Sequence, residues 1–326
     1  MFRQKCLPFV YRTVYTTKLR TTGDRTRLKL VLKILSLFEN EQVMRIAITG
    51  SNGFIGSELA LYFSTTGNEV LLLQRKEPGT LPKGTTYQHF DLNDIEKLPD
   101  LKGADALIHA AYIPSTKKNN SSEANIRGTM ALYKACLDNG VQFILLSSLS
   151  AHEKALSEYG RHKFALEGLL DKNKCLILKL GLVLGKRGLF SRIKSSVKGS
   201  PVSFLVGGGK QPVQAIYIAD VAKVIEKCIR EKISGTYCIA MAETYSIREL
   251  FKLIADSSKR NITLIPVPYW AAELGINMIE LLRLPFPVSK ENLSGLKQLQ
   301  AFDTQADLDK LGIKLTGIKE SLSLLS

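Results

Sequence analysis

From Met44 onward the chain carries five short, unbroken apolar runs: RIAIT (45–49), EVLLLQ (69–74), ALIHA (106–110), FILLS (143–147) and CLILKL (175–180). A strand that is apolar at nearly every position, rather than at every second one, has to be covered on both faces. That excludes a sheet with one wet face and calls for helices on either side. The intervals supply them, with helical patterns expected over Phe54 to Thr65, Ser122 to Asn139 and Ala155 to Asp171. Strand and helix in this alternation specify an α/β fold, a doubly wound parallel sheet.

The second half is less regular. Residues 186–212 are rich in Gly, Ser and Lys and read as a loop-and-helix excursion, while 213–230 returns to strand then helix, with Asp220 near the helix start. GTYCIA (235–240) is another expected strand. Ser246 followed three residues later by Glu249 has capping-box form, which predicts a helix from Ile247 to about Ser257. Two more helical patterns lie around Trp270–Leu284 and Thr304–Leu311. The expected division is a nucleotide-binding domain of 44–181 plus 213–241, and a smaller, discontinuous C-terminal substrate lobe of 182–212 plus 242–326.

Charge separates the first segment from the rest. Residues 1–43 hold nine Lys/Arg against three acids, so +6 of the formal +15 lies there. The segment is read as a basic extension, either disordered or an over-extended reading frame ahead of a natural start at Met44, although a transit peptide has a similar composition. Its stretch 28–38 is too short and too charged to span a membrane. The mildly basic body suits an anionic small molecule, and no stripe of Lys/Arg with interleaved aromatics points to nucleic acid. Five scattered cysteines without a C-x-x-C pair read as reduced thiols, hence a cytoplasmic protein, and four scattered histidines give no metal-ligand pattern.

Gly50, Gly53 and Gly56 follow the first strand directly and open the first helix, within TGSNGFIG. Glycines there permit a tight turn, close approach of a pyrophosphate to the backbone, and close packing of helix on strand. The helix start offers unpaired N–H groups to phosphates. The spacing is G-x-x-G-x-x-G rather than G-x-G-x-x-G. At the end of the second strand stands Gln74-Arg75-Lys76, with no acid before Glu77. An acid there would bind the ribose 2′-OH of NAD, whereas Arg75 suits the 2′-phosphate of NADP. NADP is therefore expected in preference to NAD.

Tyr159 and Lys163 stand four residues apart and share one side of a helix. Together with Thr49-Gly50-x-x-Gly53-x-x-Gly56, the pair resembles the extended short-chain dehydrogenase/reductase superfamily in its NAD-dependent epimerase/dehydratase branch. The likeness runs from about 44 to 326 and implies a Rossmann-like fold. It places Asn52, Phe54 and Ile55 with the three glycines at the pyrophosphate. It places Asp91 and Leu92 of HFDLND at the adenine, and His109, Ala110 and Ala111 of DALIHAAY against the cofactor. Asn-x-x-Gly-Thr recurs in NIRGT, and FILLSSLSA supplies Ser148 as the catalytic hydroxyl.

The resemblance gives the three residues their roles. Tyr159 would pass a proton to or from a substrate oxygen, Lys163 would pull the phenol pKa down from about 10 and hold the nicotinamide ribose, and Ser148 would position the oxygen. The expected function is hydride transfer at a carbonyl or hydroxyl carbon, of a nucleotide-sugar in a 4-epimerase or 4-keto reductase. A reductase of a smaller non-sugar carbonyl, and a non-catalytic NADP-binding accessory subunit, are the rivals. Only ten residues separate Ser148 from Tyr159, the acid pair of the dehydratases is missing beside Ser148, and Gly181 stands where many nucleotide-sugar enzymes have Asn. His162 is read as solvated, His152 and Glu153 as possible substrate neighbours, and VGGGK (206–210) as a loop rather than a phosphate cradle. No stable membrane insertion is expected, and a homodimer is.

Overall fold

The five apolar runs form the centre of one parallel sheet. The computed structural model describes residues 42–114, 121–281 and 290–325, so Cys6 and nearly all of the basic extension 1–43 lie outside it. Strands β1 (Arg45–Thr49), β2 (Glu69–Gln74), β3 (Thr85–His89), β4 (Ala106–His109), β5 (Gln142–Ser148) and β6 (Cys175–Leu180) are followed by β7 (Leu182–Leu184), β8 (Val202–Val206), β9 (Pro212–Val213), β10 (Ala215–Tyr217), β11 (Gly235–Ile239), β12 (Tyr245–Ser246) and β13 (Thr263–Val267). Seven of them make the main sheet in the order β3-β2-β1-β4-β5-β6-β11, every neighbour parallel. The strand order reverses between β1 and β4, where Thr49 pairs with Leu73 on one side and His109 on the other. In sheets of this kind the crevice beyond the strand C-termini at that point is where ligands sit.

Helices cover both faces. They are α1 (Phe54–Thr65), α2 (Ser122–Asp138), α3 (Glu158–Leu169), α4 (Gly188–Gly199), α5 (Ile218–Arg230), α6 (Ile247–Ser257), α7 (Tyr269–Leu281), α8 (Lys290–Lys297), α9 (Gln305–Leu311) and α10 (Ile318–Leu324). On one face Ile46, Ile48, Leu72, Ile108 and Ile144 pack with Leu59 and Phe63 of α1 and with Val221 and Ile225 of α5. On the other, Ala47, Leu71, Leu107, Phe143 and Leu145 pack with Leu132, Tyr133 and Cys136 of α2. Alternate residues of one strand thus enter opposite cores, and each Leu, Ile or Phe removed from water contributes about 1.5–3 kcal/mol. A third cluster, with Leu184, Phe190, Val197, Leu250, Ile254, Ile318 and Leu322, joins α4, α6 and α10.

Several local signals act as expected. Ser246 Oγ accepts from the Glu249 N–H and the Glu249 carboxylate accepts from the Ser246 N–H, so the capping box sets the start of α6. Ser157 caps α3 by accepting from the Gly160 N–H, and the helix begins at Glu158 rather than at Ala155. Other elements lacked a signal. β3 reads TTYQH and lies at the sheet edge, half exposed, so it has no apolar run to mark it. β8 lies in the segment read as loop and helix; it pairs in parallel with β13, and its Phe204 faces solvent. Cys136, Cys175 and Cys228 are buried free thiols and Cys238 is half-buried. Among the described residues, no helix is long and apolar enough to cross a membrane.

Asp220 joins two of these packing units. It is buried at the start of α5, and its carboxylate accepts from the Thr316 N–H at 2.7 Å and the Thr316 hydroxyl at 3.1 Å, just ahead of α10. Removing it leaves a part-buried N–H without its charged acceptor, which costs about 2–3 kcal/mol. Asp220→Ala is expected to lower the unfolding free energy by that amount in urea denaturation. A loss below about 0.5 kcal/mol would show that water replaces the carboxylate there.

Candidate active site

At the C-terminal end of β1 the chain turns where no side chain fits. Gly50 has φ +66°, and a Cβ on it would stand 2.9 Å from the Ala111 backbone. A Cβ on Gly56 would stand 2.3 Å from the Gly50 carbonyl oxygen. The Gly53 N–H donates to that same carbonyl and closes the turn. Helix α1 therefore starts flush against the strand end. Its N-cap residue Gly53 makes no side-chain cap, and its first turn has no acid. The N–H groups from Phe54 to Gly56 and the positive end of the helix remain available to an anion. A cradle that any larger residue would fill fits the pyrophosphate of a dinucleotide.

The segment after β2 is held by a buried glutamine. Ser51 Oγ donates to Gln74 Oε1 at 2.8 Å and Gln74 Nε2 donates to the Lys76 carbonyl at 2.7 Å, leaving Arg75 exposed in the bend between them. Among the described residues no carboxylate lies within ion-pair distance of Arg75. Beyond β3 the Asp91 carboxylate accepts from the backbone and side-chain N–H groups of Asn93, an Asx turn. Leu92 is buried against Gly128, where a Cβ would stand 2.6 Å from its side chain. The Ala111 N–H donates to Thr49 Oγ1 at 3.2 Å, which fixes Ala110 and Ala111 over the turn. His109 is different. Its ring is bonded to Thr49 and Thr129 and fully enclosed, and burial pushes its pKa down to about 3, so it is a neutral core histidine rather than a residue facing the cleft.

Ser148 ends β5, and α3 brings Tyr159 and Lys163 to the same C-terminal end of the sheet's strands. Ser148 Oγ accepts from the Ser150 N–H at 3.1 Å, leaving its own proton free to donate. Lys163 is 3% exposed; its Nζ donates to the Leu146 carbonyl at 2.8 Å and lies 5.4 Å from the centre of the Tyr112 ring. Burial lowers the Lys163 pKa to about 8, with the charge of Glu167 opposing part of the drop. The phenol behaves contrary to expectation. Tyr159 as a whole is 37% exposed; desolvation of its hydroxyl, and secondarily Glu167, shift its pKa upward. The lysine cation bonds to a carbonyl and does not bring the phenol below its ordinary value.

Tyr112 is the residue that sequence reasoning missed. Its ring meets Tyr159 edge-on at 5.0 Å, and burial raises its own pKa. The signal was one residue past the HAA of DALIHAAY. Its hydroxyl stands 3.4 Å from His162 Nδ1, and His162 Nε2 is 3.7 Å from Glu158. His162 is therefore half-buried in a polar chain leading to Tyr159, not solvated. His152 is buried, its ring 6.2 Å from that of Phe302. VGGGK forms a short helical turn held by Arg248, whose Nε donates to the Gly208 carbonyl, and by Gln211.

A buried ion pair holds this half of the site in place. Lys179 Nζ and the Glu167 carboxylate meet at 2.8 Å, the two side chains 10% and 7% exposed. Glu167 also accepts from Ser147 Oγ, and Lys179 donates to the Ala151 carbonyl. The strand end carrying Ser148, the short loop after it and helix α3 are thereby joined through two side chains.

The family model described as the NAD-dependent epimerase/dehydratase family matches residues 46–240, more than half of the chain. The chain belongs to that family. An uncharacterized UDP-glucose epimerase of Bacillus subtilis is 28% identical over 269 residues, covering 68% of this chain and 84% of that protein. A GDP-6-deoxy-D-mannose reductase of Pseudomonas aeruginosa is 25% identical over 267 residues, 69% and 83% of the two chains. Uncharacterized proteins of Mycobacterium tuberculosis match at 28% over 116 residues, which is 35% of this chain but only 13% of their length. The fold is that of the UDP-glucose 4-epimerase of Thermotoga maritima, with a TM-score of 0.64 at 19% identity over 86% of this chain and 97% of that one.

The buried Lys163 has a consequence for stability. Its pKa falls from 10.5 to about 8 on folding. Below pH 8 folded and unfolded chains both carry the charge, and the cost of burying it is complete; above 10.5 both are neutral and the cost vanishes. Lys163→Met is expected to raise the unfolding free energy at pH 7 by on the order of 2 kcal/mol, the gain fading as pH rises from 8 to 10.5. Denaturation curves across that range check it. A variant less stable than the wild type at pH 7 would mean that the hydrogen bond to Leu146 outweighs the desolvation.

Proposed function

We propose that the protein is an NADP(H)-dependent reductase of a carbonyl carbon, most fittingly the 4-keto group of a nucleotide-sugar. The observation that carries this reading is the geometry of the pair: Tyr159 and Lys163 lie on α3 beside the end of β5 that carries Ser148, with Lys163 Nζ buried on the Leu146 carbonyl. Tyr159, a phenol neutral at pH 7, shares a helix face with that lysine, whose pKa desolvation lowers to about 8. A neutral phenol is an acid in waiting. A carbonyl oxygen that receives a hydride at its carbon becomes an alkoxide, a stronger base than phenolate, and takes the phenol proton without a strong base having to be generated first. The bound dinucleotide supplies the hydride. Ser148 donates a second hydrogen bond to the same oxygen, and Lys163, still largely charged at neutral pH, stabilises the phenolate left behind.

Arg75, exposed and without a carboxylate partner among the described residues, supports NADP(H) over NAD(H), because its guanidinium can take the 2′-phosphate bidentately. The family and the two nucleotide-sugar relatives support the substrate class, and the third hydrophobic cluster, built on α4, α6 and α10, is the proposed substrate lobe. We further propose a homodimer through α2 and α3, on which Leu137, Phe164 and Leu169 are exposed apolar residues. The presence of Ser148, Tyr159 and Lys163 together at the C-terminal end of the strands argues against a non-catalytic accessory role.

With NADPH and a 4-keto nucleotide-sugar, Tyr159→Phe should lower kcat by about 10²–10⁴-fold. NADPH affinity in the same variant should stay within a few-fold of the wild type. Undiminished turnover in Tyr159→Phe, followed as loss of NADPH absorbance, would remove Tyr159 from the chemistry.

A further inference from the structure

Arg187 lies far along the chain from the glycine turn, yet reaches it. It sits between β7 and α4, and its guanidinium donates to Ser57 Oγ at 3.1 Å and to the Asn52 carbonyl at 3.3 Å. A steric fit delivers it there. A Cβ on Gly185 would stand 2.4 Å from the Phe54 ring, and one on Gly188, which has φ +80°, would stand 2.7 Å from it. The backbone on both sides of Lys186-Arg187 therefore lies flush on the phenylalanine of the turn itself. Arg187 is exposed, and among the described residues no carboxylate lies within ion-pair distance of it. Two of its five donors bond the turn and the rest remain available. A fixed, uncompensated cation thus stands beside a helix start that has no acid in its first turn.

We infer that Arg187 is a cofactor-binding residue that clasps the pyrophosphate of the dinucleotide over the glycine turn. The inference rests on the dinucleotide reading of that turn and deepens it. Its role differs from that of Arg75, which stands at the end of β2 and is proposed to read a phosphate that only NADP(H) carries. The pyrophosphate is common to both cofactors, so Arg187 contributes to binding of each and discriminates between neither. Arginine in this place offers a planar fork that can hold the turn and an anion together, which lysine reproduces only as a point charge.

The test is fluorescence titration of NADPH and NADH against wild type, Arg187→Gln and Arg187→Lys, with adenosine, which lacks phosphate, as a competitor. Arg187→Gln should weaken both dinucleotides by the same factor, about tenfold, the scale of one charge-assisted hydrogen bond. Arg187→Lys should recover most of that loss, and adenosine should compete equally well against all three proteins. Unchanged dinucleotide affinity in Arg187→Gln would overturn the inference. So would an equal loss for adenosine, which would mean that Arg187 only shapes the turn. Wild-type protein that binds neither dinucleotide would overturn the dinucleotide reading itself, and the inference with it.

Discussion

The contact between Gly56 and the Gly50 carbonyl is the constraint on which the rest is arranged. With 2.3 Å from that oxygen to where a Cβ would stand, α1 can start against the end of β1 only if neither position carries a side chain. That placement sends the helix N-terminus into the crevice at the reversal of strand order and lets the Ala110–Ala111 backbone close over Gly50. It also presents the Phe54 ring to the loop that leads into α4. The turn thus leaves the helix start open to the crevice and is the point at which the part of the chain built on the third hydrophobic cluster meets the sheet.

The other half of the site depends on buried charge. Lys163 is desolvated with a carbonyl and an aromatic face for company, whereas Lys179, only slightly less buried, has Glu167 directly against it. The two lysines therefore differ in character. The paired one holds Ser148 and its loop to α3, and losing either partner would leave a lone buried charge. The one that bonds only a carbonyl is costly for the fold, and in the proposed mechanism its charge is the one that stabilises a phenolate. Local destabilisation of this kind is common at functional sites.

Legibility in the sequence followed the physics of each signal. The central strands were visible because burial on both faces leaves an unbroken apolar run, and α6 because Ser246 and Glu249 form a two-sided cap within four residues. β3 and β8 were invisible to the same reading, since an edge strand and a two-stranded pair satisfy their backbones without an apolar run. The glycine turn was legible because its steric demand is written in residue type. Tyr159 and Lys163 were legible as a pair by spacing, but their protonation was not, because desolvation depends on what folds around them from Tyr112 and Glu167. His162 was misjudged for a related reason: its position on the helix was right, and the Tyr112 hydroxyl that meets it comes from fifty residues away. Arg187 had no local signal at all, since its partners lie about 130 residues earlier.

Comparative titration of NADPH and NADH most directly tests the proposal of a reducing enzyme that takes its hydride from NADPH. Wild-type protein should bind NADPH at least about tenfold more tightly, as one bidentate arginine–phosphate contact requires. Arg75→Ala should erase that advantage while leaving NADH affinity nearly unchanged. Equal affinity for the two cofactors, or a preference for NADH that survives Arg75→Ala, would contradict the assignment of Arg75 and remove the support for the reductive direction that comes from the cofactor.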